Sequence, residues 1–324
     1  MQTLRLGTRG SQLALYQAHT TQRLLKQHAG VDCEIVVIKT SGDRLSEAAL
    51  SAIGGKRLFV KEIEDALLDR TIDLAVHSSK DMPAVLPDGL DVGAVLARED
   101  PRDAVVLPGA TEERFPSLEA VVSHLGQSPR IGTSSVRRAA QLMRIFPGGQ
   151  FLPIRGNLDT RLRKVDNGEF DAIVLAAAGL RRLEHAGRIS ATLPATACVP
   201  APGQGIIALE IRSDDARVRG HVERIDDRAA GAQLVAERAV VRRLGGGCQM
   251  PIGAYAEPQE DSLTLTAVVI SLDGARAVRA EATGAAAQAD ALGATVAERL
   301  LAEGAGEILD DVQRAQAAVE GIQP

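Results

Sequence analysis

Short apolar runs alternate with helical periodicities through the first two hundred residues. The runs at 3–7, 33–39, 72–76, 92–96, 104–107, 130–133, 151–155, 171–176 and 206–211 read as strands. Between them a helix is expected from Ser11, a good N-cap, to about His28. Another over 59–70 places Phe59, Ile63, Ala66 and Leu67 on one face, and further helices are expected at 117–125, 135–145, 158–166 and 179–186. This alternation predicts an α/β fold with mostly parallel or mixed sheets. The windows 61–76 and 160–175 each run an amphipathic helix into a turn, an Asp and a buried strand, which suggests two lobes on a similar plan. The Pro/Gly-rich stretch 194–205 reads as a crossing between them. After about residue 220 the pattern changes. A long helix, 229–244, ends at Gly245-Gly246-Gly247; two alternating strands, 262–270 and 276–282, and Ala-rich helices at 286–303 and 305–319 follow. That is the pattern of a separate small α+β unit.

Composition narrows the function. At 45% apolar and 24% charged residues the chain is ordinary globular material. Five Phe, two Tyr and no Trp are too few for a stacking platform on single-stranded nucleic acid. A net charge of −5 gives no global attraction to DNA or membranes. The first seventeen residues lack the apolar run of a signal peptide, and the uncharged stretch 189–209 is broken by Pro194, Pro200 and Pro202. Cys33, Cys198 and Cys248 are far apart, and the six histidines show no metal spacing, so neither a disulfide framework nor a metal site is expected. A cytoplasmic location follows as an expectation.

Local charge is more telling. Between Pro129 and Lys164 eight Arg and Lys face a single acid, Asp159, inside an otherwise acidic protein. Thr133-Ser134-Ser135 follow a strand and open a helix whose first turn carries Arg137 and Arg138. Backbone N–H groups, hydroxyls and guanidinium forks then converge where cations oppose the helix dipole, so an anionic guest relieves a local conflict. Arg155-Gly156-Asn157 repeats the device at the next junction. A solvated basic face is the competing reading. HSSKDMP (77–83) sits at the carboxyl end of a strand, where α/β ligand sites gather, and offers Lys80 to an anion and Asp81 to a cation or N–H donor. A capped turn with a surface Lys–Asp pair explains the same residues. GGGCQMPIG (245–253) presents Cys248 on an open backbone beside Arg242 and Arg243, which favours a thiolate. With no His–Asp escort in that segment, covalent attachment fits better than hydrolysis. GQG at 203–205 is weak by itself.

Taken in order, RLGTRGSQLALYQ (5–17), GGKRLFVKE (54–62), HSSKDMP (77–83), REDPRDA (98–104), GTSSVRR (132–138), RGNLDTRL (155–162), NGEFDAIVLAAAGLRRL (167–183), PGQG (202–205) and GGGCQMPIG (245–253) resemble the porphobilinogen deaminase family. The resemblance implies two periplasmic-binding-protein-like lobes around a cleft plus a small C-terminal α+β domain. It places the first lobe at 1–99 with 199–220, the second at 104–196 and the third domain at 222–324. It implies head-to-tail condensation of four porphobilinogen units, with loss of ammonia, on a dipyrromethane primer joined to Cys248 by a thioether. Porphobilinogen carries an acetate and a propionate, for which bidentate arginine forks are suited. Loss of ammonia leaves an azafulvenium cation, and Asp81 matches the family residue that stabilises it. Ser78, Lys80, Thr133, Ser135, Arg137 and Arg138 match anchors of the primer. Arg9, Ser11, Gln17, Arg155, Arg161 and Arg182 match positions around the incoming substrate and the primer's second ring, with Arg9 and Lys80 beside Asp81 in the catalytic group. A monomer that passes its product to the next tetrapyrrole enzyme is the implied setting.

Two positions depart from the family pattern: Ala52, where bacterial relatives often have Lys, and Arg57, where Gly is usual. Both fall in the 43–60 loop, which the resemblance marks as a cleft cover. Two rivals remain at this point. A dicarboxylate-binding protein explains the arginines and lobes but gives Cys248 and the third unit no purpose. A thiol hydrolase needs a His near Cys248, and the nearest in sequence is His221.

Overall fold

The structure, a computed structural model, describes residues 3–40, 60–109, 115–247 and 250–320. Ala52, Arg57 and Cys248 lie outside the described residues. The elements run β1 (Leu4–Thr8), α1 (Gln12–Leu24), β2 (Cys33–Val37), α2 (Lys61–Leu68), β3 (Leu74–Ser78), β4 (Leu90–Val95), β5 (Asp103–Val106), α3 (Leu118–Leu125), β6 (Arg130–Gly132), α4 (Val136–Met143), β7 (Gln150–Leu152), α5 (Leu158–Asp166), β8 (Ala172–Ala176), α6 (Ala177–Arg182), β9 (Ala191–Thr192) and β10 (Ile207–Arg212). After these come α7 (Ala216–Val222), α8 (Arg228–Arg243), β11 (Ile252–Gln259), β12 (Ser262–Ile270), β13 (Ala277–Ala285), α9 (Ala289–Ala302) and α10 (Ala305–Glu320).

Strand pairing makes two five-stranded sheets of one topology. The first has the order β2-β1-β3-β10-β4 and the second β7-β6-β8-β5-β9. In each, the first three are parallel and the fourth is an antiparallel strand that has crossed over from the other half of the chain. The crossings are 96–102, between β4 and β5, and 193–206, between β9 and β10. They are joined to each other: Glu99 N donates to Gly205 O at 3.0 Å and Arg98 Nε to Gln204 O at 3.0 Å. Gly205 has φ +90, and a Cβ there would lie 2.2 Å from the Glu99 carbonyl oxygen, so this weak-looking glycine motif marks a close backbone approach. The expected crossing at 194–205 and the likeness of the two halves are both present.

The third sheet, β11-β12-β13, is an antiparallel meander covered by α8, α9 and α10 through a core that includes Val240, Leu265, Val269, Val296 and Ile308. Sequence reading gave this unit two strands; β11 was missed. It contains Gly253 and Pro258, which depress a strand pattern, and Pro258 is tolerated because β11 is at the sheet edge. Helix α6 also begins two residues earlier than the spacing predicts and ends at Arg182. The third sheet docks on both crossings through Glu237 of α8, which is fully buried. Its carboxylate accepts from both Nη atoms of Arg98 (2.6 and 3.2 Å), from Gly203 N (2.6 Å) and from Ala256 N (2.8 Å).

Candidate active site

Helix starts at strand ends build the site. Ser11 Oγ accepts from Ala14 N, Ser135 Oγ from Arg138 N and Asn157 Oδ1 from Thr160 N, capping α1, α4 and α5 just after β1, β6 and β7. Thr133 Oγ1 accepts from Ser135 N at 3.2 Å, tightening the corner before α4. β3 ends at half-buried Ser78 and enters a single 3-10 turn, Ser79–Asp81, which carries Lys80 and Asp81 off the carboxyl edge of the first sheet; Asp81 is exposed. Arg9 leaves the same edge from the neighbouring strand β1.

Cations from both lobes converge on one buried acid. Arg137 Nη1 donates to Asp103 Oδ2 at 2.8 Å and to Val199 O at 2.6 Å. Arg138 Nε donates to Asp103 Oδ1 at 2.9 Å, and its Nη1 to Val174 O at 3.0 Å. Gln204 Nε2 donates to Asp103 Oδ1 at 2.8 Å while its Oε1 accepts from Lys80 Nζ at 3.3 Å and Arg138 Nη2 at 3.4 Å. Burial alone would raise the Asp103 pKa, but the Arg137 and Arg138 charges outweigh it and hold the carboxyl well below the usual range. Burial, reinforced by the Arg138 charge, pushes Lys80 down to about 8. Arg161 falls to about 10 through burial and then Arg138, with Asp81 acting the other way and Arg155 adding to the repulsion. Arg138 thus lies within electrostatic reach of both Lys80 and Arg161, Arg137 of Lys80 and Arg155 of Arg161, while Asp81 acts on both Lys80 and Arg161 and Asp103 on Lys80.

The remaining expected residues make contacts of their own. Arg182, buried, donates from Nη2 to Gly205 O at 2.7 Å, and burial lowers its pKa against the charges of Glu99 and Tyr16. Gln17 is buried with its Nε2 unpartnered among the described residues. Ser11 is committed to its cap. The basic window 129–164 does not form one patch. Arg130 grips Asp171 at the opposite edge of the sheet, Arg144 reaches Gly274 O in the third unit, and Arg163 is exposed. A cavity of about 90 Å³ opens where the three sheets meet, with Lys80, Ser135, Arg137, Arg238, Gly247 and Ile252 among its lining. Gly247 and Met250, which flank the segment containing Cys248, both face it.

Two family models match the chain: "Porphobilinogen deaminase, dipyromethane cofactor binding domain" over residues 4–220 and "Porphobilinogen deaminase, C-terminal domain" over 232–302. The chain belongs to the porphobilinogen deaminase family. Curated porphobilinogen deaminases similar to it include those of Carboxydothermus hydrogenoformans (45% identical, covering 95% of this chain and 97% of the relative), Syntrophus aciditrophicus (47%, 94% and 97%) and Acidithiobacillus ferrooxidans (46%, 97% and 99%). Among solved structures, the methionine-binding protein MetQ aligns with a TM-score of 0.42 at 13% identity over 69% of this chain and 89% of that one, too distant to add to the topology above. What sequence reading missed in this chain is Asp103. It stood inside REDPRDA, and its signal was indirect: two arginines in a first helical turn call for an anion, and the chain supplies one itself. Gln204 was missed for a similar reason, since a lone Gln between glycines shows nothing until Lys80, Arg138 and Asp103 meet on it.

Proposed function

We propose that this chain condenses four porphobilinogen molecules head to tail, releasing ammonia, into the linear tetrapyrrole hydroxymethylbilane, and is thus a transferase. The observation that carries this reading is the cluster of Lys80, Arg137, Arg138, Arg155 and Arg161 in a cleft between two lobes, beside exposed Asp81. Its donor set fits a dipyrromethane, whose two rings bring four carboxylates. Lys80 and Arg161 are held below their ordinary pKa values by burial and then by the Arg138 charge, and bound carboxylates offset both costs. Ser78, Lys80, Thr133, Ser135, Arg137 and Arg138 would hold that group, with Cys248 joined to it by a thioether. When bound it supplies the nucleophilic pyrrole carbon from which the chain grows.

The protein's own residues do the rest. Arg9, Arg155, Arg161 and Arg182, with Gln17 and Ser11, orient the acetate and propionate of the arriving substrate. Asp81 stands where positive charge appears on that substrate as ammonia leaves, and stabilises it more than the neutral ground state. Asp103, by contrast, is spent inside the protein: it fixes the arginine forks. We place the first lobe at 1–99 with 199–220, the second at 104–196 and the third domain at 222–324. The enzyme acts as a cytoplasmic monomer and passes its product to the next tetrapyrrole enzyme. No described helix is long and apolar enough to cross a membrane. The test is incubation of the purified protein with porphobilinogen, following ammonia and substrate together. One ammonia per porphobilinogen consumed, with linear tetrapyrrole formed, is expected; binding without consumption would leave only a dicarboxylate-binding role.

A further inference from the structure

The repeated topology allows the lobes to be compared residue by residue. Leu6 pairs with Leu74 and Gly7 with Ala75 in the first sheet, as Ile131 pairs with Ala172 and Gly132 with Ile173 in the second. Ala75 faces Glu210 across β3 and β10, and Ile173 faces Val106 across β8 and β5. His77 therefore stands at the position of Leu175, and Glu210 at that of Val106. In the second lobe both positions are buried and apolar, part of one core cluster with Ile173 and Ala104. In the first lobe they hold an imidazole and a carboxylate, 5% and 0% exposed.

The pair is close but incompletely satisfied. His77 Nε2 lies 3.0 Å from Glu210 Oε2, yet among the described residues neither His77 Nε2 nor either Glu210 oxygen completes a hydrogen bond. Such groups are costly in a core, and the second lobe shows that the topology does not require them. Their location is informative. β3 runs from His77 directly into the turn carrying Lys80 and Asp81, and β10 begins two residues after Gln204 and Gly205. Lys80 and Gln204 bond to each other at 3.3 Å. At 3.0 Å the pair bridges, diagonally, the two strands whose ends meet in the site. Leu and Val at the same positions pack without a preferred direction.

We infer that His77 and Glu210 are positioning residues for the condensation: the buried pair sets the end of β3 against the start of β10, and through them Lys80, Asp81 and Gln204. This rests on the proposed function. The test gives the first lobe the residues of the second, in the double substitution His77→Leu with Glu210→Val, comparing it with the parent in kcat, KM, Tm and primer content by intact mass. The expected result is a folded protein with a Tm at or above that of the parent, KM within about twofold and kcat lower by about tenfold or more, as sub-ångström misplacement of reacting groups implies. Loss of the primer at parental Tm also supports the inference, because Lys80 belongs to the displaced turn. Parental kcat, a change in KM alone, or a kcat that falls only together with Tm would overturn it. Should the double variant not fold, Glu210→Gln decides by the same criteria, since it keeps the shape and removes the charge. A parent that consumes no porphobilinogen refutes the proposed function instead, whatever the variants do.

Discussion

The two lobes share a scaffold and differ in what they hang on it. At the edge away from the site, Arg5 of β1 grips Asp73 with its backbone N–H, Nε and Nη2, at 2.8, 3.2 and 3.1 Å. Arg130 of β6 grips Asp171 with the same three groups, at 2.7, 3.3 and 2.8 Å. The preceding turns also correspond: Arg70 and Gly168 each have positive φ, 57 and 75, and each carbonyl accepts from the neighbouring arginine's Nη2. At the opposite edge the likeness ends. After β3 come Lys80 and Asp81; after β8 come Ala177, Ala178 and Gly179. β5 begins with Asp103 where β10 begins with Ile207. Structural ion pairs are thus repeated, while Lys80 and the proposed catalytic Asp81 stand on one lobe and Arg137, Arg138, Arg155 and Arg161 on the other.

The largest expected effect comes from removing the acid that the second lobe alone possesses. Asp103→Asn leaves two buried guanidinium groups facing a neutral amide and should destabilise the protein by about 3–5 kcal/mol, read by denaturant titration. The same residue shapes the acid limb. Its folded-state carboxyl titrates well below the ordinary ~3.9, so as pH falls through about 4 the unfolded chain takes up a proton that the folded chain does not. Stability fully present above that pH drains away below it, and Asp103→Asn should flatten this dependence. An unchanged acid slope in the variant would show that the charge is not carried as described.

Asp81 tests the other lobe. It is exposed, so Asp81→Asn should leave Tm unchanged while lowering kcat about a hundredfold or more with little change in KM. Asp81→Glu, which keeps the charge, should retain measurable activity. A stability loss with intact kcat would return Asp81 to a turn-capping role. Smaller effects probe the shared scaffold. Gly168→Ala places a Cβ at positive φ and should cost about 1 kcal/mol, whereas Arg70→Gly relieves that conformation and should be neutral or stabilising by up to about 1 kcal/mol. Opposite signs in paired melts would establish the turns as equivalent; equal signs would break the correspondence. Smallest is Arg5→Ala, whose side chain is 41% exposed: about 0.2–1 kcal/mol, fading with added salt.

Periodicity and motif order carried the architecture because both report on local requirements. The alternation of strands and helices, the Asp closing each helix–turn–strand unit, and the capping residues Ser11, Ser135 and Asn157 are each decided within a few residues. β11 escaped because edge strands tolerate the Gly and Pro that ordinarily argue against a strand. In the site, Lys80, Asp81, Arg137 and Arg138 stood out because their surroundings in sequence place them at strand ends and helix starts. Asp103, Gln204, His77 and Glu210 did not, since each gains its meaning from partners 34 to 133 residues away. A buried Glu inside IIALEI reads locally as an interruption, and only strand register shows it beside His77 and opposite Ala75.

As proposed above, this chain builds a pyrrole polymer while tethered to it at Cys248. Intact mass spectrometry of the purified protein, before and after addition of porphobilinogen, tests it most directly. The expected result is a chain heavier than its sequence by a two-ring primer, further ring-sized increments on adding substrate, and neither in Cys248→Ser. Cys33→Ser and Cys198→Ser should behave as the parent: both thiols are buried, and burial pushes them up to about 11 and about 12. A parent of unmodified mass that nonetheless forms tetrapyrrole, or a Cys248→Ser protein that carries the adduct, would contradict it.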